Sequence, residues 1–134
     1  MAVVTGWLAA AFIALTGLVP LVTRLRAGKR AAPDGAPMRA HVALGLATGA
    51  LAFLHTLLVV PALGAPGAIS GGMLALGAGG AAFFVLVAHT GLGLQLRRPK
   101  LRERASKRRA HLGTALVILA LVTTHAVALL RAAP

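Results

Sequence analysis

Four of the five histidines fall into two identical intervals, His41 with His55 and His111 with His125, each pair separated by thirteen residues. Both intervals open on the tripeptide Arg-Ala-His, at Arg39–His41 and Arg109–His111. Neutral imidazole ligates iron, copper, zinc and nickel and also carries protons, so the spacing has to say which chemistry is meant. On an α-helix fourteen residues turn through about 1400°, which leaves the two rings ~40° apart in azimuth and ~21 Å apart along the axis. Each segment therefore carries two imidazoles on one face, one towards each end.

The elements that hold these segments follow from composition. Of the 134 residues 58% are hydrophobic and 12% charged, which excludes an ordinary soluble domain. The apolar residues come in four runs, Val3–Thr23, Met38–Val60, Gly72–Gln95 and Ala110–Leu130, each long enough to cross a bilayer as a helix. The expected fold is all-α: one domain over residues 1–134, an integral membrane four-helix bundle running up-down-up-down. Helices two and four then run the same way, so His41 and His111 share one level and His55 and His125 the other.

The net charge of +12 would suggest nucleic acid on a soluble surface, but its placement excludes that partner. Five of the fourteen Lys and Arg lie between Arg24 and Arg39 and eight between Arg97 and Arg109, whereas residues 61–71 carry none. By the positive-inside rule both basic loops are expected to be cytoplasmic and both termini external, as in a bacterial inner (plasma) membrane. Basic loops at that position meet anionic lipid headgroups. The absence of cysteine excludes disulfides, thiolate metal sites and thiol catalysis. The first run has no basic stretch before it, unlike a signal peptide, and is read as a structural helix.

A single histidine in a membrane helix could serve a helix–helix hydrogen bond. Four of them in two level pairs fit two bis-imidazole metal sites stacked through the membrane. Zinc or copper fits poorly, because each level offers two ligands and no Asp, Glu or Cys in the spans completes a closed site. Haem brings its own four equatorial nitrogens and needs only two axial ligands. The reading is therefore two haem b groups, with His41 and His111 on the cytoplasmic-side iron and His55 and His125 on the external-side iron. The competing class is a haem-free membrane transporter of metal or protons, against which the acid-free spans and the level pairing both argue.

On these residues the chain resembles the four-helix core of di-haem b-type cytochromes: cytochrome b of quinol–cytochrome c reductases and the transmembrane domain of ferric reductases. His41-x13-His55 and His111-x13-His125 match the ligand ladders of that core, and the resemblance spans all four helices. In cytochrome b the non-ligand helices carry paired glycines that admit the porphyrins. Helix three matches through Gly77/Gly91 and Gly79/Gly93, both fourteen residues apart, and helix one offers only Gly6 and Gly17, eleven apart. The chain lacks a Pro-Glu-Trp-Tyr-like quinol motif, a flavin or NADPH domain and a c-type haem motif. Helix one also lacks the ligand common in bacterial cytochrome b561-type proteins. The resemblance implies transmembrane electron transfer, with quinone or a partner redox subunit exchanging electrons with the bundle. The alternative is an oxidoreductase that turns over quinol or an external acceptor at the outer haem.

Secondary assignments complete the reading. Arg39 and Arg109, two residues before the cytoplasmic-level ligands, are candidate partners for haem propionates. His89 on helix three is expected to face the interior, with a propionate contact, a backbone hydrogen bond, a quinone site or alternative axial ligation as its roles. Thr48 is expected to bond its own helix, and Gly45 and Gly49 to form a close-packing face. Trp7 reads as an interfacial anchor, and Pro20 as a residue tolerated in a loosened last turn. Pro33-Asp34-Gly35 reads as a turn, Pro37 as the first residue of helix two, and Ser70 as the N-cap of helix three. Leu101–Arg109 is a candidate extension of helix four.

Overall fold

The computed structural model describes residues 1–29, 31–32, 34–64, 71–98 and 100–132. Its elements are α1 (Ala2–Ala27), α2 (Ala36–Val59) with a 3-10 turn at Val60–Ala62, α3 (Gly72–Leu96) and α4 (Arg104–Ala132). Among the described residues there is no strand. All four helices are long and apolar enough to cross a membrane, each holding an 18-residue stretch whose mean hydropathy is 2.1, 2.0, 1.8 and 2.1 in chain order. The expected architecture, a membrane-spanning four-helix bundle, is the one found.

The helix ends follow local chemistry. α1 runs through Pro20 to Ala27 and stops at Gly28, whose φ of 63° is a left-handed cap. Pro20 is thus an interior residue, not part of a loosened last turn. α2 starts one residue before Pro37, which sits in the first turn where its missing N–H is harmless. The turn ahead of it is closed by Gly35 N–H on Ala32 O at 3.0 Å, while Pro33 lies outside the described residues. Ser70 also lies outside them, and the residue capping α3 is Gly71. α4 begins at Arg104, so the extension of helix four takes in the second half of the expected segment; Lys and Arg are good helix formers, and nothing there breaks the pattern.

α1 packs antiparallel along α2, and α3 along α4, while contacts between these two hairpins are sparse. Buried residues are few: Ala9, Thr48, Ala75, Ala78, Ala82, Leu86 and Ile118. Large side chains such as Phe84 (73% exposed) and Leu74 (67%) line the outside. An apolar exterior of that extent is stable only against lipid. Trp7 is half-exposed near the start of α1, in line with an interfacial position.

Candidate haem-binding centres

The two hairpins face each other through their histidines. At the end that carries the basic connections, the ring centres of His41 and His111 lie 6.2 Å apart with their planes at 87°. At the far end those of His55 and His125 lie 6.4 Å apart at 75°. Both predicted level pairs are thus brought together. Two imidazoles joined by a direct hydrogen bond would have ring centres roughly 5 Å apart. With about 2 Å per metal–imidazole bond, and each ring centre roughly 1.1 Å behind its nitrogen, two rings trans on one ion stand about 6.2 Å apart. The observed separations match the second arrangement.

Each ring is fixed from behind by the neighbouring helix of its own hairpin. Nδ1 of His41 meets Thr16 O at 2.9 Å and Nδ1 of His55 meets Ala2 O at 3.0 Å, both on α1. Nδ1 of His111 meets His89 O at 3.2 Å and Nδ1 of His125 meets Ala75 O at 2.7 Å, both on α3. A carbonyl only accepts, so in all four imidazoles Nδ1–H donates and Nε2 keeps its lone pair. That is the tautomer a metal ligand needs, held by the kind of outer contact that orients ligating histidines.

The four accepting carbonyls share a sequence device. Four residues after each of them, where the helix would place its own N–H donor, stands Gly6, Pro20, Gly79 or Gly93. A Cβ on Gly79 would lie 2.8 Å from Nδ1 of His125, one on Gly6 3.0 Å from Cε1 of His55, and one on Gly93 3.1 Å from Cε1 of His111. Only glycine lets those rings come so near. At the fourth position Pro20 has no N–H at all, so Thr16 O is left for His41.

This sorts the predicted glycines. Gly6, Gly79 and Gly93 lie against the rings of His55, His125 and His111, whereas a Cβ on Gly17, Gly77 or Gly91 would meet nothing within 4 Å. On α3, Gly77 lies about 200° round the helix from Gly79, and Gly91 the same from Gly93, so both turn away from the histidines. The α1 counterpart of the fourteen-residue spacing is Gly6 with Pro20, not Gly6 with Gly17. The signal was available: the interval that joins the histidines also runs from Gly6 to Pro20.

Arg39 and Arg109 sit badly for the proposed propionate contact. Both are inside helices, two residues and so about 200° from His41 and His111, and both are exposed. Arg39 donates from Nη1 to Asp34 O at 2.8 Å. The face of His111 is shared instead by Lys107, one turn before it and half-buried. His89 does turn inward: its ring stacks on His111 with centres 3.8 Å apart and planes 14° apart.

Between the two levels lies a packed layer. Thr48, Leu86 and Ile118 are buried, and each stands seven residues from both of its helix's outer positions, 41/55, 79/93 and 111/125. Thr48 donates to Leu44 O at 2.8 Å, as expected for a threonine bonding its own helix. Gly45 packs near Thr16 of α1, and Gly49 lines a cavity of about 170 Å³ with Phe83, Leu86, Val87 and Thr90. Phe53 stacks with Phe83 across the gap between hairpins at 6.5 Å.

Among the described residues no set of three or more His, Cys, Asp or Glu converges to hold a metal ion. The far end offers two imidazoles; the basic end adds His89 to its pair, but that ring stacks on His111 and its Nδ1 is held by Thr114. Compared with known proteins, the chain matches no family model, no curated relative and no solved structure.

Proposed function

We propose that this membrane protein is a b-type cytochrome that carries electrons across the bilayer through two haems, one gripped at each level by a histidine pair. The observation that carries the reading is the pair of ring-centre separations, 6.2 and 6.4 Å, which leave room for one metal ion between rings and too much for a direct hydrogen bond. With two protein ligands per level, the remaining coordination has to come from the cofactor, and haem supplies it. A haem held this way supplies reversible one-electron exchange at its iron.

The chain's own residues have separable tasks. His41 and His111 would hold the group at the basic end, His55 and His125 the one at the far end. The carbonyls of Ala2, Thr16, Ala75 and His89 keep each Nε2 aimed inward and raise the basicity of the ring. Gly6, Gly79 and Gly93 let the rings lie against α1 and α3. Thr48, Leu86 and Ile118 exclude water between the levels, which are ~21 Å apart along the helices.

The sparse packing between the hairpins supports a group held between them. The positive-inside asymmetry supports a cytoplasmic basic end in a bacterial inner membrane. The exchange partner in this reading is a quinone or a redox subunit. The test is a dithionite-reduced minus oxidised spectrum of purified protein expressed with haem supplied. The expected result is the split absorption of low-spin b haem; a featureless spectrum overturns the proposal.

A further inference from the structure

On the α3–α4 side the two levels differ by one imidazole. At the basic end, the α3 residue whose carbonyl holds the ligand is itself a histidine, His89; at the far end it is Ala75. The corresponding residue of α1 at the basic end is Thr16.

His89 belongs to a closed set of contacts with α4. Thr114 donates its hydroxyl proton to His111 O at 3.0 Å. Its oxygen therefore accepts from Nδ1 of His89, 2.8 Å away. That bond fixes the His89 ring, which lies face to face with His111 at 3.8 Å, while the His89 carbonyl takes Nδ1–H of His111 at 3.2 Å. An imidazole held only at Nδ1 and at a metal-directed Nε2 can still swing about the line through those two points. A flat partner stacked on its face removes that freedom.

We infer that His89 is a positioning residue that sets the plane of His111, and with it the near-perpendicular setting of the basic-end imidazoles. Among the described residues His125, backed by Ala75, has no such partner, and its angle to His55 is the smaller one. The inference rests on the haem reading above. The mutual angle of two axial imidazoles governs the anisotropy of a low-spin ferric haem: perpendicular planes give a strongly anisotropic electron paramagnetic resonance signal, and planes turned towards parallel give a more rhombic one.

The experiment is that spectrum, with haem stoichiometry and a redox titration, on intact protein carrying His89→Leu, His89→Phe or Thr114→Val. In His89→Leu the expected result is two haems retained, with the basic-end signal broadened and moved towards rhombic. The basic-end potential should shift and the far-end signal stay fixed. His89→Phe keeps a flat partner but loses the Thr114 bond, so it and Thr114→Val should each move the same signal by less than His89→Leu.

Unchanged signals in His89→Leu overturn the inference, as does loss of the basic-end haem in His89→Leu together with its retention in His111→Leu. If His89→Leu does not fold, an unmoved basic-end signal in Thr114→Val overturns it and a displaced one supports it. Failure of the underlying reading looks different, because the wild-type protein itself would then contain no haem.

Discussion

Hairpins α1–α2 and α3–α4 perform one task with two chemistries. Each carries two histidines fourteen residues apart on its second helix and two accepting carbonyls fourteen apart on its first. In α3–α4 both carbonyls are followed four residues later by glycine, so the ring approaches a carbonyl that has a second lone pair to offer. In α1–α2 the basic-end carbonyl is followed by proline, so His41 takes an acceptor that the helix cannot use. Opening space for a ring and removing a rival donor thus lead to the same carbonyl–imidazole geometry. Their difference shows that the carbonyl–imidazole contact, rather than any one residue type, is what the fold preserves.

The largest effect should come from removing what joins the hairpins. With sparse direct packing between them, bound cofactor at ~1,000 times its Kd would contribute about 4 kcal/mol of stability. A His41→Ala/His55→Ala double variant should therefore melt well below the wild type in detergent. An unchanged melting temperature would mean that the hairpins hold together unaided.

The glycine device is broken next. Gly79→Val puts a branched side chain where even a Cβ would sit 2.8 Å from Nδ1 of His125; overpacking of this kind costs about 1–3 kcal/mol, and the far-end haem should be lost while the basic-end one stays. Gly77→Ala, two residues away on the open face, should keep both haems and gain about 0.5–1 kcal/mol of helix stability. Equal haem loss in the two variants would show that the ring contact is not what the glycine serves.

Pro20→Ala sharpens the comparison from the other side. It returns an N–H to Thr16 O and should stiffen α1, leaving His41 to share its acceptor. The expected outcome is two haems with a displaced basic-end potential and an unmoved far-end one, read by redox titration. The smallest effects belong to Arg39→Ala and Arg109→Ala, whose side chains lie on the far face of their helices. Both should retain full haem content, and loss of the basic-end haem in either would restore the propionate assignment.

The fold was legible because four apolar runs, three of them carrying histidine, leave a membrane bundle as the arrangement that satisfies every backbone group. The histidine levels were legible because 3.6-residue periodicity converts spacing directly into azimuth. What spacing could not separate was Gly77/Gly91 from Gly79/Gly93: both pairs keep the interval, and only the packing of α4 on α3 decides which one meets a ring. Pro20 was read for its effect on the helix, and its missing N–H mattered through a partner on another helix. Nearness in sequence points to Arg39 and Arg109, whereas azimuth favours Lys107. His89 was seen as inward-facing, but its stacking partner depends on the rotation of α3 against α4, which the sequence does not state.

The central claim is that each level holds one haem between two named histidines, and haem b per chain by pyridine haemochrome tests it most directly. The account predicts two in the wild type, one in His55→Ala or His125→Ala, one in His41→Ala or His111→Ala, and none when both levels are disabled. A wild-type protein that folds without haem, or two haems persisting after either level is removed, would contradict it.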